Sequence, residues 1–169
     1  MVDWTAHVAL GWLTARLPKA RNVVSRDTLA VGCVLPDVPK IVMMPFMPAL
    51  EDRVVLAVIL PSHAIVGVAL LSVAAAFLFK GQGIPKSIAS LYLGGLLHLA
   101  LDLLVRYETG CGVPLLWPLT WRGYSLGLMS ANDVGLTVAS MSLCIVVYLA
   151  EKARGNSDKA VSSGHEKSG

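Results

Sequence analysis

Charge is scarce in this chain. Asp, Glu, Lys and Arg together make up 15% of its 169 residues, while hydrophobic residues reach 55% and mean hydropathy is +0.66. A soluble domain carries roughly 25% charged residues, so an ordinary water-soluble fold is excluded. Cysteine is also rare: Cys33, Cys111 and Cys144 show no CxxC or other paired spacing. A disulfide framework and a thiolate metal site therefore have no support. The formal net charge is only +3, and the basic residues fall in the gaps between apolar runs rather than along a stripe. Nucleic acid is not an expected partner. A cleavable signal peptide is not expected either, since Asp3 occupies the place of a basic leader and His7 interrupts the first apolar stretch. The N-terminus is expected to stay on the mature protein.

What is present is a series of long apolar runs. Val54 to Phe79 contains no Asp, Glu, Lys or Arg, and about 20 such residues cross the ~30 Å hydrocarbon layer. Ser87 to Val105 is interrupted only by His98 and Asp102, and Val134 to Ala150 is uncharged. Thr28 to Met47 is a further segment, with Pro36, Asp37, Pro39 and Lys40 near its middle. Proline removes a backbone donor and obstructs the preceding turn, so this segment reads as two half-helices meeting at the Pro36–Asp37 pair. Trp4 to Leu17 is short for a span, and an interfacial or re-entrant helix is the other reading. The expected fold is all-α: a polytopic bundle of four or five spans over residues 1–150, one of them broken at Pro-Asp. Residues 151–169 form a polar tail expected to be disordered, and His165 within it has no chemical role.

Loop charge sets the orientation. Arg16, Lys19, Arg21 and Arg26 fill the first gap, Lys80 and Lys86 another, and Lys152 and Arg154 follow the last span. The intervening gaps hold fewer basic and more acidic residues. The positive-inside rule then places the C-terminus in the cytoplasm and, if the first segment crosses, the N-terminus outside. The expected location is the plasma membrane.

Ionisable groups within spans are expensive, about +2.5 to +3.5 kcal/mol for Asp at a helix centre, and are functional candidates by default. Here they are Asp37, His63, His98 and Asp102, with His7 in the first segment. His98 and Asp102 are four residues apart and share a helix face. In the orientation above, His63 lies roughly 14 Å and His98 roughly 10 Å below the outer surface, so the five residues share a depth. A bland reading pairs Asp102 with Arg106 and Asp37 with Lys40, leaving each histidine a hydrogen-bonded structural residue. The joint occurrence favours a cation, and His/Asp sets suit zinc, manganese or iron.

The stretches DWTAHVALG, GCVLPDVPKI, LPSHAIVG, YLGGLLHLALDLL and GVPLLWPLTWRGYSLGL resemble, in order, the motifs of the YdjM-like family of membrane-bound, metal-dependent hydrolases. The resemblance runs from about residue 3 to 135. It implies a metal site at His7, Asp37, His63, His98 and Asp102, the five residues selected by depth. Trp117 and Pro118 also match and read as shaping an outer loop. The HR pair that many members carry is absent, and Ser62 stands in place of Thr.

Together these readings describe a hydrolase with one or two divalent metals between helices, zinc first among them, open to the outer leaflet and acting on an ester or phosphoester. Asp37 and Asp102 are its expected catalytic carboxylates. Arg106 and Arg122 are candidates to clamp an anionic headgroup, and Glu108 and Asp133 are weaker acid–base candidates. A membrane lipid or other small amphiphile fits a site at that depth; the oligomeric state is open. The alternative is a transporter or metal-binding membrane protein, for which paired broken helices are expected, and only one break is visible in the sequence.

Overall fold

The computed structural model describes residues 4–16, 24–49, 52–79, 81, 83–107, 112–130 and 134–166. Seven α-helices account for most of these residues: α1 (Trp4–Thr14), α2 (Arg26–Gly32), α3 (Val38–Met43), α4 (Asp52–Ser62), α5 (Ile65–Ala76), α6 (Ile84–Leu104) and α7 (Gly135–Glu166). Strands β1 (Val105–Arg106) and β2 (Met129–Ser130) form a short parallel pair, with Val105 opposite Met129. The fold is all-α, as composition requires. The backbone of α7 continues to Glu166, through the residues read from composition as a polar tail.

α6 is the axis of the bundle and packs chiefly against α2 and α5, while α1 bridges α2 and α7. Its start is set by Gly83 at φ 86° and by Pro85 in the first turn, where the missing N–H costs nothing. Its buried residues are Ser87, Ser90, Leu91, Gly94, Gly95, His98, Leu99 and Asp102. That 3–4 spacing defines one stripe along a helix, mostly of small side chains at its beginning and ionisable ones at its end. A Cβ on Gly94 would collide with the Leu29 carbonyl oxygen, and one on Gly32 with the Leu91 carbonyl oxygen. The absence of side chains at these two positions lets the α2 and α6 backbones touch, the mode of packing that suits helices in lipid. α5 shows the same inversion of a soluble fold: Gly67, Val68, Ser72 and Ala76 face inward, whereas Leu70 and Phe77 are exposed.

Two chain breaks position the site. The first follows α2, which ends at Gly32, the residue whose carbonyl the Pro36 ring would obstruct. Leu35–Asp37 then forms a 3-10 turn leading into α3. The second was not expected. Val54 to Phe79, read as one uninterrupted span, is two helices, because Pro61 removes a donor near the end of α4 and Ala64 is extended (φ −108°, ψ 154°). The expectation of a single broken segment is corrected accordingly. Among the described residues, α6 is long and apolar enough to cross a membrane by itself, and Arg26–Gly32 with Leu35–Phe46 meets the same standard as a pair bent by 41°. α1, with 11 residues, reaches only ~16 Å.

Substituting Gly94→Val should lower stability by about 1–3 kcal/mol through overpacking, read as a lower thermal midpoint in detergent. Gly81→Ala, where an added Cβ meets nothing, should leave the midpoint unchanged.

Candidate metal centre

Five residues expected from the sequence to converge do so. His7 comes from the middle of α1, Asp37 from the first break, His63 from the second, and His98 and Asp102 from the last turns of α6. Three imidazole Nε2 atoms face two carboxylates. His98 Nε2 is 3.2 Å from Asp102 Oδ2 and 4.0 Å from Asp37 Oδ2. His63 Nε2 is 3.3 Å from Asp37 Oδ1 and 3.9 Å from Asp102 Oδ2, and His7 Nε2 is 3.7 Å from Asp102 Oδ1. The His7 and His98 rings stack with centroids 4.0 Å apart. Donor atoms of His7, His98 and Asp102 lie within 4.8 Å of one another, as do those of Asp37, His63 and His98.

Hydrogen bonding decides what this arrangement can hold. His98 Nδ1 lies 2.8 Å from the Cys33 carbonyl oxygen, so Nδ1 carries a proton and, in the neutral ring, Nε2 is left with its lone pair. His63 Nδ1 is likewise 3.1 Å from the Ile59 carbonyl oxygen. Each Nε2 lone pair then points at a carboxylate, an acceptor facing an acceptor. His98 Nε2, His7 Nδ1 and both Asp37 oxygens are buried without a hydrogen-bond partner among the described residues. Buried polar atoms in that condition cost roughly 1–3 kcal/mol each. A cation between them removes the conflict, and backbone-anchored imidazoles are the usual way such ligands are oriented. The residues therefore fit a divalent metal with a nitrogen and oxygen donor set.

Ser62 ties the two breaks together. Its hydroxyl lies 2.8 Å from the Pro36 carbonyl oxygen and 2.7 Å from that of Ile59, and is 3.1 Å from His63 Nδ1. The bond to Pro36 joins the turn carrying Asp37 to the turn carrying His63. Its role was not evident from sequence, where Ser62 stood out only as a replacement for Thr; a threonine hydroxyl serves the same bond.

Among the described residues, the cluster opens to a cavity at His63 and Asp102. Side-chain exposure is 1% for His7, Asp37 and His98, against 6% for Asp102 and 13% for His63. His63 and Asp102 line a cavity of about 170 Å³ with Lys40, Ile59, Leu60, Tyr107, Gly112, Val113 and Pro114. The loop containing the last three is docked on the end of α6. Leu126 and Leu128 donate backbone N–H groups to the Leu103 and Leu104 carbonyls, and the Ser125 hydroxyl donates to that of Val105. These are the carbonyls a helix end leaves without partners. The same loop's Leu115 carbonyl accepts the Ile65 N–H at the start of α5.

The remaining candidates fall elsewhere. Arg106 is exposed on β1 and, among the described residues, makes no ion pair with Asp102, so the bland pairing of those two does not occur. Arg122 is exposed in the loop, its guanidinium 5.9 Å from the centre of the Tyr124 ring. Neither lines the cavity; Lys40 does. Trp117 and Pro118 lie in the docked loop, where the Trp117 ring meets that of Trp121 edge-on. Glu108, Cys111 and Asp133 lie outside the described residues.

These features define a helical membrane protein with a buried three-histidine, two-aspartate cluster. A family model described as YdjM inner membrane protein matches residues 2–161, and the chain belongs to that family. Comparison with curated proteins and with solved structures finds no match.

Detergent-purified protein should carry a stoichiometric divalent metal by elemental analysis, lost in His98→Ala and Asp37→Ala; a well-folded wild type that takes up none removes the metal centre. Ser62→Ala should weaken metal affinity by about 10–100-fold, the range for groups that orient ligands, in competition with a chelator. Ser62→Thr should stay near wild type.

Proposed function

We propose that this protein is a multi-pass membrane hydrolase that cleaves an ester or phosphoester of a lipid or lipid-linked substrate. Its metal is divalent, zinc before manganese or iron, and is held by His7, Asp37, His63, His98 and Asp102. The observation that carries the reading is the acceptor-facing-acceptor cluster, which opens to a cavity at His63 and Asp102. A purely structural polar network would be satisfied by its own hydrogen bonds.

A divalent ion in such a set supplies Lewis acidity and activates water near neutral pH. The chain divides the remaining work by burial. Asp37, closed off from solvent, holds and neutralises. Asp102, at the cavity wall beside His63, accepts the proton of an attacking water. The Ile59 and Cys33 carbonyls fix the imidazoles of His63 and His98, so no ring reorients as charge develops. Ile59, Leu60 and Val113 exclude bulk water from the cavity, which strengthens every charge interaction inside it. Arg106 and Arg122, both exposed, act outside the cavity as anchors for an anionic headgroup.

The proposed topology puts the site at the outer face. α6 then runs outward from Lys86 to Asp102, and α7 returns so that Lys152 and Arg154 lie in the cytoplasm, as the positive-inside rule asks. The docked loop exposes Leu119, Trp121, Leu126 and Leu128, a surface suited to the bilayer interface. Lipid esters reach such a site without leaving the membrane.

A second reading, a transporter or non-catalytic metal-binding protein, gains from the second chain break. Two broken helices meeting at a polar cluster are a feature of ion pathways. One experiment separates the two. Metal-loaded protein in detergent is offered short-chain phosphate monoesters, phosphodiesters and carboxyl esters, and is also reconstituted in vesicles to follow metal flux. The hydrolase reading expects turnover reduced at least about 100-fold in Asp37→Ala, with no flux. Flux abolished by Asp37→Ala, without turnover of any ester, establishes the transporter instead.

A further inference from the structure

The cavity beside the cluster is almost wholly apolar, although His63 and Asp102 reach it. Ile59, Leu60, Val113 and Pro114 supply its wall. Lys40 also borders it, but its charge acts on the Asp37 carboxylate and is not free. Tyr107, just beyond α6, brings no charge. Burial first, and then the negative charge of Asp102 and Asp37, hold its phenol above the ordinary tyrosine range, as expected beside a space that polarises poorly. A compact anion entering this cavity would shed its hydration at high cost. It would approach Asp102 without meeting an unengaged cation among the described lining residues. An uncharged group meets neither penalty.

The wall is built before any ligand arrives. Ile59 and Leu60 lie near the end of α4, where the Ile59 carbonyl oxygen is 2.7 Å from the Ser62 hydroxyl and 3.1 Å from His63 Nδ1. On the loop side, Val113 exchanges backbone hydrogen bonds of 2.8 and 2.9 Å with Tyr124 and packs with Val68 and Leu99. A Cβ on the neighbouring Gly112 would strike the Tyr124 carbonyl oxygen, so this pairing needs glycine there. Both sides are tied down, and the space is held open at a cost in lost contacts. At about 170 Å³ it is close to the ~150 Å³ of a dry apolar cavity that takes up benzene. It falls well short of the ~300–1,000 Å³ of drug-sized ligand sites.

We propose that this cavity is the specificity pocket of the site, holding an uncharged acyl group of up to about six carbons against His63 and Asp102. The ester cleaved is then a carboxyl ester with a short acyl group, and any charged portion of the substrate stays outside the cavity. Water adds to the acyl carbon and the carbon–oxygen bond to the alcohol breaks. Asp102 takes the proton of the water and returns it to the departing alkoxide. The substrate class rests on the hydrolase reading, whereas the pocket's preference for an uncharged apolar group does not.

The test uses the full chain in detergent, with and without zinc, and begins with binding. Fluorobenzene, followed by fluorine NMR, should bind saturably in both forms, and para-fluorophenyl phosphate should not bind the zinc-free protein. Leu60→Phe, which fills the pocket, should weaken fluorobenzene binding at least about 10-fold. Leu60→Ala, which enlarges it, should still bind the ring. Thermal midpoint and zinc content show that each variant is folded. Turnover by the zinc-loaded protein is then followed on para-nitrophenyl esters of acetic, butanoic, hexanoic and decanoic acid. The kcat/KM should climb about 3-fold per methylene up to the hexanoate and fall by the decanoate. Leu60→Phe should move the maximum to a shorter acyl group and Leu60→Ala to a longer one. Fluorobenzene binding that is absent from wild type or indifferent to Leu60→Phe overturns the pocket. So does equal binding of the aryl phosphate by zinc-free protein, or a kcat/KM that keeps rising to the decanoate in wild type and both variants. The two readings fail separately: Leu60-dependent fluorobenzene binding without turnover of any ester removes the hydrolase and keeps the pocket. Ester turnover with neither an optimum in acyl length nor a response to Leu60 removes the pocket and keeps the hydrolase.

Discussion

Each of three imidazoles has its Nε2 within 4 Å of a carboxylate oxygen of Asp37 or Asp102 in a region almost closed to solvent, and two of the imidazoles, when neutral, have committed their one proton to backbone carbonyls. Lone pairs therefore point at lone pairs. Such a contact is unfavourable in water and worse where the surroundings polarise poorly, and a positive charge at the centre of the cluster would relieve it. Much of the surrounding architecture serves to hold these groups at that separation.

The helix breaks follow from this constraint. A continuous helix satisfies its own backbone and presents side chains only along its flank, whereas a break lets a residue enter the bundle from a turn. Asp37 and His63 do so, and the Ser62–Pro36 bond keeps their turns in register. Freed backbone groups inside a membrane protein must find partners within the protein. The Leu115 carbonyl meets one at the head of α5, and the docked loop meets several at the end of α6. The loop that completes the helix ends also walls the cavity, so closing the backbone and shaping the cavity beside the cluster are one structural event.

Packing around the cluster inverts the pattern of a soluble core. Small residues lie inside and large apolar ones outside, most plainly on α5 and along the exposed face of α7. Where lipid is as apolar as leucine, close backbone approach and van der Waals contact replace water exclusion as the source of association. The α6 stripe combines both functions: Gly94 and Gly95 let α2 and α5 approach closely, and one turn later the same face delivers His98, then Asp102.

Much of the centre was legible in one dimension. Low charge and long apolar runs imposed a helical membrane protein, the four-residue spacing of His98 and Asp102 put them on one face, and the prolines around Asp37 marked a break. These are local properties, set by helical repeat and by proline's missing donor. The break at His63 was hidden, because one proline near a helix end is compatible with either a continuous or an interrupted span, and the choice rests on contacts with the first break. Lys40, not Arg106 or Arg122, lines the cavity for a related reason: which cation reaches it depends on how α3 and β1 leave the bundle. The amino-acid order determined which groups were too costly to leave unpaired in a membrane. Only the crossing of distant helices decided which of them meet, since convergence of residues 7 to 102 depends on interhelical packing that no local repeat encodes.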